Sequence, residues 1–119
     1  MLLRNQMRKG TTDVLILSLL AECPMYGYLL ARELERRSEG YFDMQEGLLY
    51  PALHRMEKDG LLTGEWRKAA GARRRKYYLI TERGRRALDE SVEEWATFAT
   101  KLMELIGGQG DAEPQTVSG

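Results

Sequence analysis

A chain of 119 residues, 43% of them apolar, is the size of one domain with a core of its own. Its 18 basic and 18 acidic residues cancel, a balance that taken as an average argues against nucleic acid as a partner. One cysteine excludes an intrachain disulfide framework and suits a reducing cytoplasm, and one cysteine with one histidine cannot assemble the usual zinc ligand sets, so no metal or other cofactor is expected.

The first nine residues are short and basic, with no long apolar stretch ahead of a small-residue cleavage site, so no signal peptide is expected. Thr11, Thr12 and Asp13 are candidate N-caps for an apolar helix beginning at Val14. The longest apolar run, Val14 to Ala21, is too short to span a membrane, and its near-continuous apolarity predicts a central, buried helix. Cys23-Pro24 ends it, since the residue before a proline is pushed out of the helical region. Cys23 itself reads as an apolar filler at the helix end.

A second helix is expected from Met25-Tyr26-Gly27-Tyr28 through Arg37, with a narrow stripe of Leu30, Leu34 and Tyr26 facing inward. Gly27 allows either a close helix approach or a phosphate near the helix N-terminus. Ser38-Glu39-Gly40 reads as a turn.

The third helix, starting near Gly47 or Leu48, organises the chain. Leu49, Leu53 and Met56 recur at helical spacing and face a core, which leaves Tyr50, His54, Arg55 and Lys58 pointing mostly outward. Pro51 is tolerable if it lies in the first turn, and Asp59-Gly60 stops the helix. Its outer face carries groups able to reach base edges and phosphates in a DNA major groove, so it reads as a recognition helix.

Two short strands follow, Leu61–Trp66 and Lys76–Ile80, joined by the basic loop 67–75. Here the charge balance breaks down. Residues 63–86 hold nine Lys/Arg against Glu65 and Glu82, net +7, whereas residues 87–119 hold seven acids against Lys101, net −6. A local basic patch, rather than the overall charge, is the footprint of a phosphate-binding surface. Consecutive cations at Arg73, Arg74, Arg75 and Lys76 repel one another unless an anion is present. Helix-turn-helix followed by a basic hairpin predicts a mainly α winged helix with a two-stranded wing. Of the aromatics, Trp66 is expected at the wing base, and one of Tyr77 and Tyr78 in the core.

Thr81 is placed to cap a long C-terminal helix. Leu88, Val92, Trp95, Ala99, Leu102 and Ile106 form a heptad-like seam flanked by Phe98 and Leu105, more apolar surface than a lone helix needs, and a symmetric homodimer would bury it. The expected organisation is a DNA-binding domain over 7–80, a dimerisation helix over 81–106 and a disordered tail over 107–119.

The pattern Gly47-x-Leu49-Tyr50-Pro51-x-Leu53-x-x-Met56-Glu57-x-x-Gly60-Leu61, followed by Arg73-Arg74-Arg75-Lys76-Tyr77-Tyr78-x-Ile80-Thr81-x-x-Gly84, resembles the PadR-type transcriptional regulators. Thr12–Leu17 and Tyr26-Gly27-Tyr28-x-Leu30 are similar to that family's first two helices, and the likeness covers roughly 7–106. It implies a homodimeric winged-helix repressor, of the shorter subfamily with a single C-terminal helix, that binds a palindromic operator and is released by a small molecule. In some members planar aromatic effectors lie between paired tryptophans at the dimer centre. Trp95 occupies the corresponding position, with Met7 and Asp13 at approximate first-helix counterparts, and Asp13 carries a charge where a neutral amide is expected.

The reading is thus a transcriptional regulator rather than an enzyme. Cys23 and His54 fall on different helices and lack a third, orienting group. The expected DNA contacts are Tyr26, Gly27 and Tyr28 at the second helix, Gln45, Gly47, Tyr50, Pro51, His54, Arg55 and Lys58 on the recognition helix, and Arg73 to Lys76 on the wing. The alternative is a winged helix serving protein–protein interaction, its wing cations meeting an acidic partner.

Overall fold

The structure, a computed structural model, describes residues 2–42, 46–68, 71 and 73–107, excluding the side chains of residues 2–10, 46 and 47. Gln45, the tail beyond Gly107 and the side chain of Met7 lie outside the described residues. The elements in order are α1 (Leu2–Leu20), β1 (Met25–Tyr26), α2 (Gly27–Arg37), α3 (Glu46–Lys58), β2 (Leu62–Lys68), β3 (Arg74–Ile80) and α4 (Glu82–Leu102), closed by one π-helical turn, Met103–Gly107. Close packing divides the chain into two units, Met1–Leu88 and Asp89–Gly119.

The core of the first unit is built where three helical stripes converge. Ile16, Leu17 and Leu20 of α1, Leu30 of α2, and Leu49, Leu53 and Met56 of α3 are almost free of solvent, together with Leu62 of β2. At roughly 25 cal/mol per Å² of apolar surface removed from water, this cluster is the main source of stability. Ala87 and Leu88 pack against it from the start of α4.

The helix ends follow local chemistry. α2 closes with Glu39 (φ 55°) and Gly40 (φ 85°) in left-handed conformations, where the Gly40 N–H donates to the Glu35 carbonyl and the Glu39 N–H to that of Arg36. α3 ends in the same way: Gly60 (φ 82°) lets its own N–H reach the Glu57 carbonyl and that of Leu61 reach Met56. Thr81 caps α4 as expected, its hydroxyl accepting from the Gly84 N–H at 3.0 Å. The same hydroxyl lies 2.6 Å from the Gly60 carbonyl, to which it donates, tying the end of α3 to the start of α4.

Several expectations need correction. α1 begins at Leu2, so Thr11, Thr12 and Asp13 are interior helical residues rather than caps. α3 begins at Glu46, which moves Pro51 out of the first turn, to a position where it removes one ladder donor. Met25 and Tyr26 are not helical. They form β1, paired antiparallel with Tyr78 and Tyr77 of β3, so the sheet has three strands in the order β1-β3-β2. β2 and β3 reach further toward the tip than expected, taking in Arg67, Lys68, Arg74 and Arg75. Trp66 is 58% exposed on the hairpin instead of packed at its base, and Cys23 is exposed rather than buried. The architecture is a winged helix-turn-helix with a long C-terminal helix.

Candidate nucleic-acid interface

The outward side of α3 presents His54 and Lys58 to solvent, with Pro51 beside them. Tyr50 is only partly exposed because its ring lies against Gly27 at the start of α2. A Cβ at Gly27 would stand 2.6 Å from Tyr50 Cε1 and from its hydroxyl. Of the two roles open to Gly27, the structure therefore shows the close helix approach. Tyr28 projects from the same end of α2, 57% exposed, with the Arg32 guanidinium over its ring. Gly47 sits in the first turn of α3.

Arg55 differs from its neighbours on α3. Its Nη1 and Nη2 donate to the two carboxylate oxygens of Asp13 on α1 at 3.0 and 2.8 Å. That hydrogen bonding raises the guanidinium above its already high range, with desolvation opposing. The pair rims a cleft of about 480 Å³ floored by Leu48, Pro51 and Ala52.

The hairpin carries charge on both faces. On one, Arg75 lies 4.5 Å over the Tyr26 ring, Tyr26 meets Tyr77 edge-on at 5.3 Å, and Arg67 lies 5.0 Å over Tyr77. On the other, Arg74 covers Trp66 at 5.8 Å, while Tyr78 is buried and desolvation pushes its phenol up. Tyr77 and Tyr78 thus divide as alternation predicts. The register sets Arg67 opposite Arg75 and Lys68 opposite Arg74. Like charges directly opposite on a strand pair repel. Arg73 is exposed at the edge of the tip, and Gly71 (φ 87°) supplies the left-handed turn there. Among the described residues no carboxylate pairs with Arg73, Arg74 or Arg75. Lys76 is the exception in the run, because its ammonium is held by Glu57 of α3 at 2.8 Å.

Arg67 and Lys68 join this surface although the sequence reading does not single them out. A signal for them exists: they flank the loop symmetrically with Arg74 and Arg75, and a tighter loop places them on the strand opposite.

In the second unit, Val92, Phe98, Leu102 and Ile106 are exposed, as are Met103 and Leu105. Trp95 is partly exposed and meets Phe98 edge-on at 5.7 Å, beside an open hollow of about 380 Å³ shared with Glu94. Ala99 is exposed, whereas Leu88, the first residue of the expected seam, packs on the core of the first unit. Among the described residues no cluster of potential metal ligands occurs, and no helix is long and apolar enough to cross a membrane.

A polar helix presented beside a cationic hairpin defines the winged-helix class of nucleic-acid-binding proteins. Residues 16–90 match the model of the transcriptional regulator PadR-like family, and the chain belongs to that family. It is a DNA-binding transcriptional regulator, not an enzyme. It is 36% identical over 105 residues to a transcriptional regulator of Mycobacterium tuberculosis, spanning 88% of this chain and 92% of that one. Among solved structures, a PadR-like transcriptional regulator from Bacillus cereus superposes with a TM-score of 0.76 at 33% identity, covering 87% of this chain and 98% of the other. A PadR family regulator from Eggerthella lenta gives 0.75 at 34% identity, covering 88% and 89%.

Proposed function

We propose that the chain is a homodimeric repressor whose α3 reads base edges in the major groove while the hairpin tip grips the backbone. The supporting observation is the pair of directly opposed cations, Arg67 with Arg75 and Lys68 with Arg74, beside Arg73. Glu65 offsets the charge of Arg67 at 2.7 Å, while Lys68, Arg73, Arg74 and Arg75 have no carboxylate partner among the described residues, so their mutual repulsion is relieved once phosphates lie along them. Phosphate contacts from the hairpin and from Tyr26, Gly27 and Tyr28 set position, and Gln45, Gly47, Tyr50, Pro51, His54, Arg55 and Lys58 carry sequence preference.

Dimerisation is assigned to the exposed apolar residues of α4, with Val92, Trp95, Ala99, Leu102 and Ile106 as its seam and Leu88 at its edge. Pairing two copies sets the half-sites of an inverted repeat about 34 Å apart. A planar aromatic effector is assigned to the hollow beside Trp95; Met7 and Asp13 of α1 are proposed as effector-binding residues separately, on the family resemblance alone. The effector acts by favouring one separation of the two reading heads over another.

Fluorescence anisotropy on a labelled duplex, repeated across salt concentrations, tests the DNA assignment. Replacing Arg73, Arg74 and Arg75 with alanine is expected to flatten the dependence of log affinity on log salt by about 0.9 for each phosphate no longer neutralised. A wild-type protein that ignores duplex DNA in dilute buffer, or a triple variant with an unchanged slope, overturns it.

A further inference from the structure

Asp13 and Arg55 are 42 positions apart in the chain and meet end-on, each carboxylate oxygen accepting from one terminal nitrogen of the guanidinium. Neither is sequestered: the side chains are 33% and 52% exposed. The pair therefore sits in high dielectric, where little holds it together against another anion. Of the five N–H donors of the guanidinium, the two on its end-on edge are spent on this carboxylate, so a phosphate or guanine edge can be gripped through that edge only by displacing Asp13. Arg55 lies next to His54 and three residues before Lys58 on α3. It is the one cation on that helix tied to a carboxylate of another element among the described residues.

We propose that Asp13 is a built-in competitor for the DNA contact of Arg55. The aspartate parks the guanidinium against α1, and Arg55 turns that edge to DNA only when it exchanges the carboxylate for a phosphate or a base edge. No bond beyond hydrogen bonds changes, and no other reactant is needed. The inference rests on α3 being the DNA-facing helix, and it makes Asp13 a positioning residue that lowers affinity without itself touching DNA. The arrangement differs from the Lys76–Glu57 pair in its cation, which is 52% exposed against 27% for Lys76. It also joins α1, where an effector is proposed to act, directly to the reading helix.

The test is a double-mutant cycle on the full chain, using a fluorescein-labelled duplex of mixed sequence and a salt titration. Asp13→Asn keeps the shape and removes the charge, and Asp13→Ser is the second variant should the first fold poorly. Either is expected to bind more tightly, by up to about fivefold, with a salt slope steeper by about 0.9 as one more phosphate is engaged. Arg55→Ala is expected to cancel the gain, so that the double variant matches Arg55→Ala alone. Unchanged or weaker binding by the Asp13 variants overturns the proposal. An equal gain in the Arg55→Ala background does so as well, since it would report only the removal of a negative charge. Should the wild-type chain itself fail to bind the duplex, the DNA reading falls and this inference with it. Wild-type binding with no response at Asp13 sinks the inference alone.

Discussion

Lys76 on β3 and Glu57 on α3 form an ion pair at 2.8 Å, and the lysine stem fills the space that a side chain at Gly64 would occupy. The hairpin is thereby tied to the helix beside it, and the last cation of the basic run becomes a strut. Its removal should act on folding more than on DNA. Lys76→Ala is expected to lower stability by about 1 kcal/mol, combining a modest ion pair with the packing of the stem. Urea denaturation measures that change. The salt slope of DNA binding should stay as in wild type, in contrast to the arginines at the tip.

Gly84 marks where α4 meets the end of α3. A Cβ there would run into the Leu61 carbonyl and stand 2.8 Å from Ile80 Cγ1. The obstacle is backbone, which cannot swing aside. Gly84→Ala is therefore expected to destabilise by about 1–3 kcal/mol, despite alanine's better helix propensity. A thermal melt at or above the wild-type midpoint would contradict it.

At Gly27 the obstacle is instead the Tyr50 ring, which can move. Gly27→Ala is expected to destabilise by about 1 kcal/mol or more and to push Tyr50 off α2. Shortening Tyr50 to alanine should relieve that conflict, so that adding Gly27→Ala to Tyr50→Ala costs little further. The two changes are then non-additive by more than about 0.5 kcal/mol, readable from four denaturation curves.

Glu33 is held by Arg36 and Arg37, whose hydrogen bonds draw its carboxyl down to about 2, and Arg37 also grips Glu22 at 2.7 Å. A carboxyl lowered in the folded state contributes stability that is complete above its ordinary value near 4.5 and is lost as pH falls through about 2. The Glu33 contacts are accordingly expected to survive mild acid and to be lost as pH falls toward about 2. Carboxyl-carbon NMR shifts of Glu33 through an acid titration report it directly, and a midpoint near 4.5 would show the contacts to be absent in solution.

The most legible parts of the fold were those set by neighbours a few residues away. The stripe of Leu49, Leu53 and Met56, the stop at Asp59-Gly60 and the cap at Thr81 each depend on one or two turns of chain, and all three appear in the structure. The weakness of purely local reasoning shows at the same scale. Thr11, Thr12 and Asp13 resemble a helix start, yet α1 continues through them, because a capping residue permits a helix to begin without requiring it. Two residues of strand at Met25–Tyr26 are too short to carry a period and exist only because β3 lies beside them.

The chain's own order of residues determined the class of protein: which helix is polar outside, where the hairpin lies and where cations gather, since all of these follow from short-range spacing and side-chain chemistry. Tertiary structure alone decided which of those cations are already engaged. Arg55 is claimed by a carboxylate 42 residues away and Lys76 by one 19 residues away, while Arg73, Arg74 and Arg75 have no such carboxylate among the described residues. Electrostatic pairing depends on distance in space, and only folding brings α1, α3 and the hairpin within a hydrogen bond of one another.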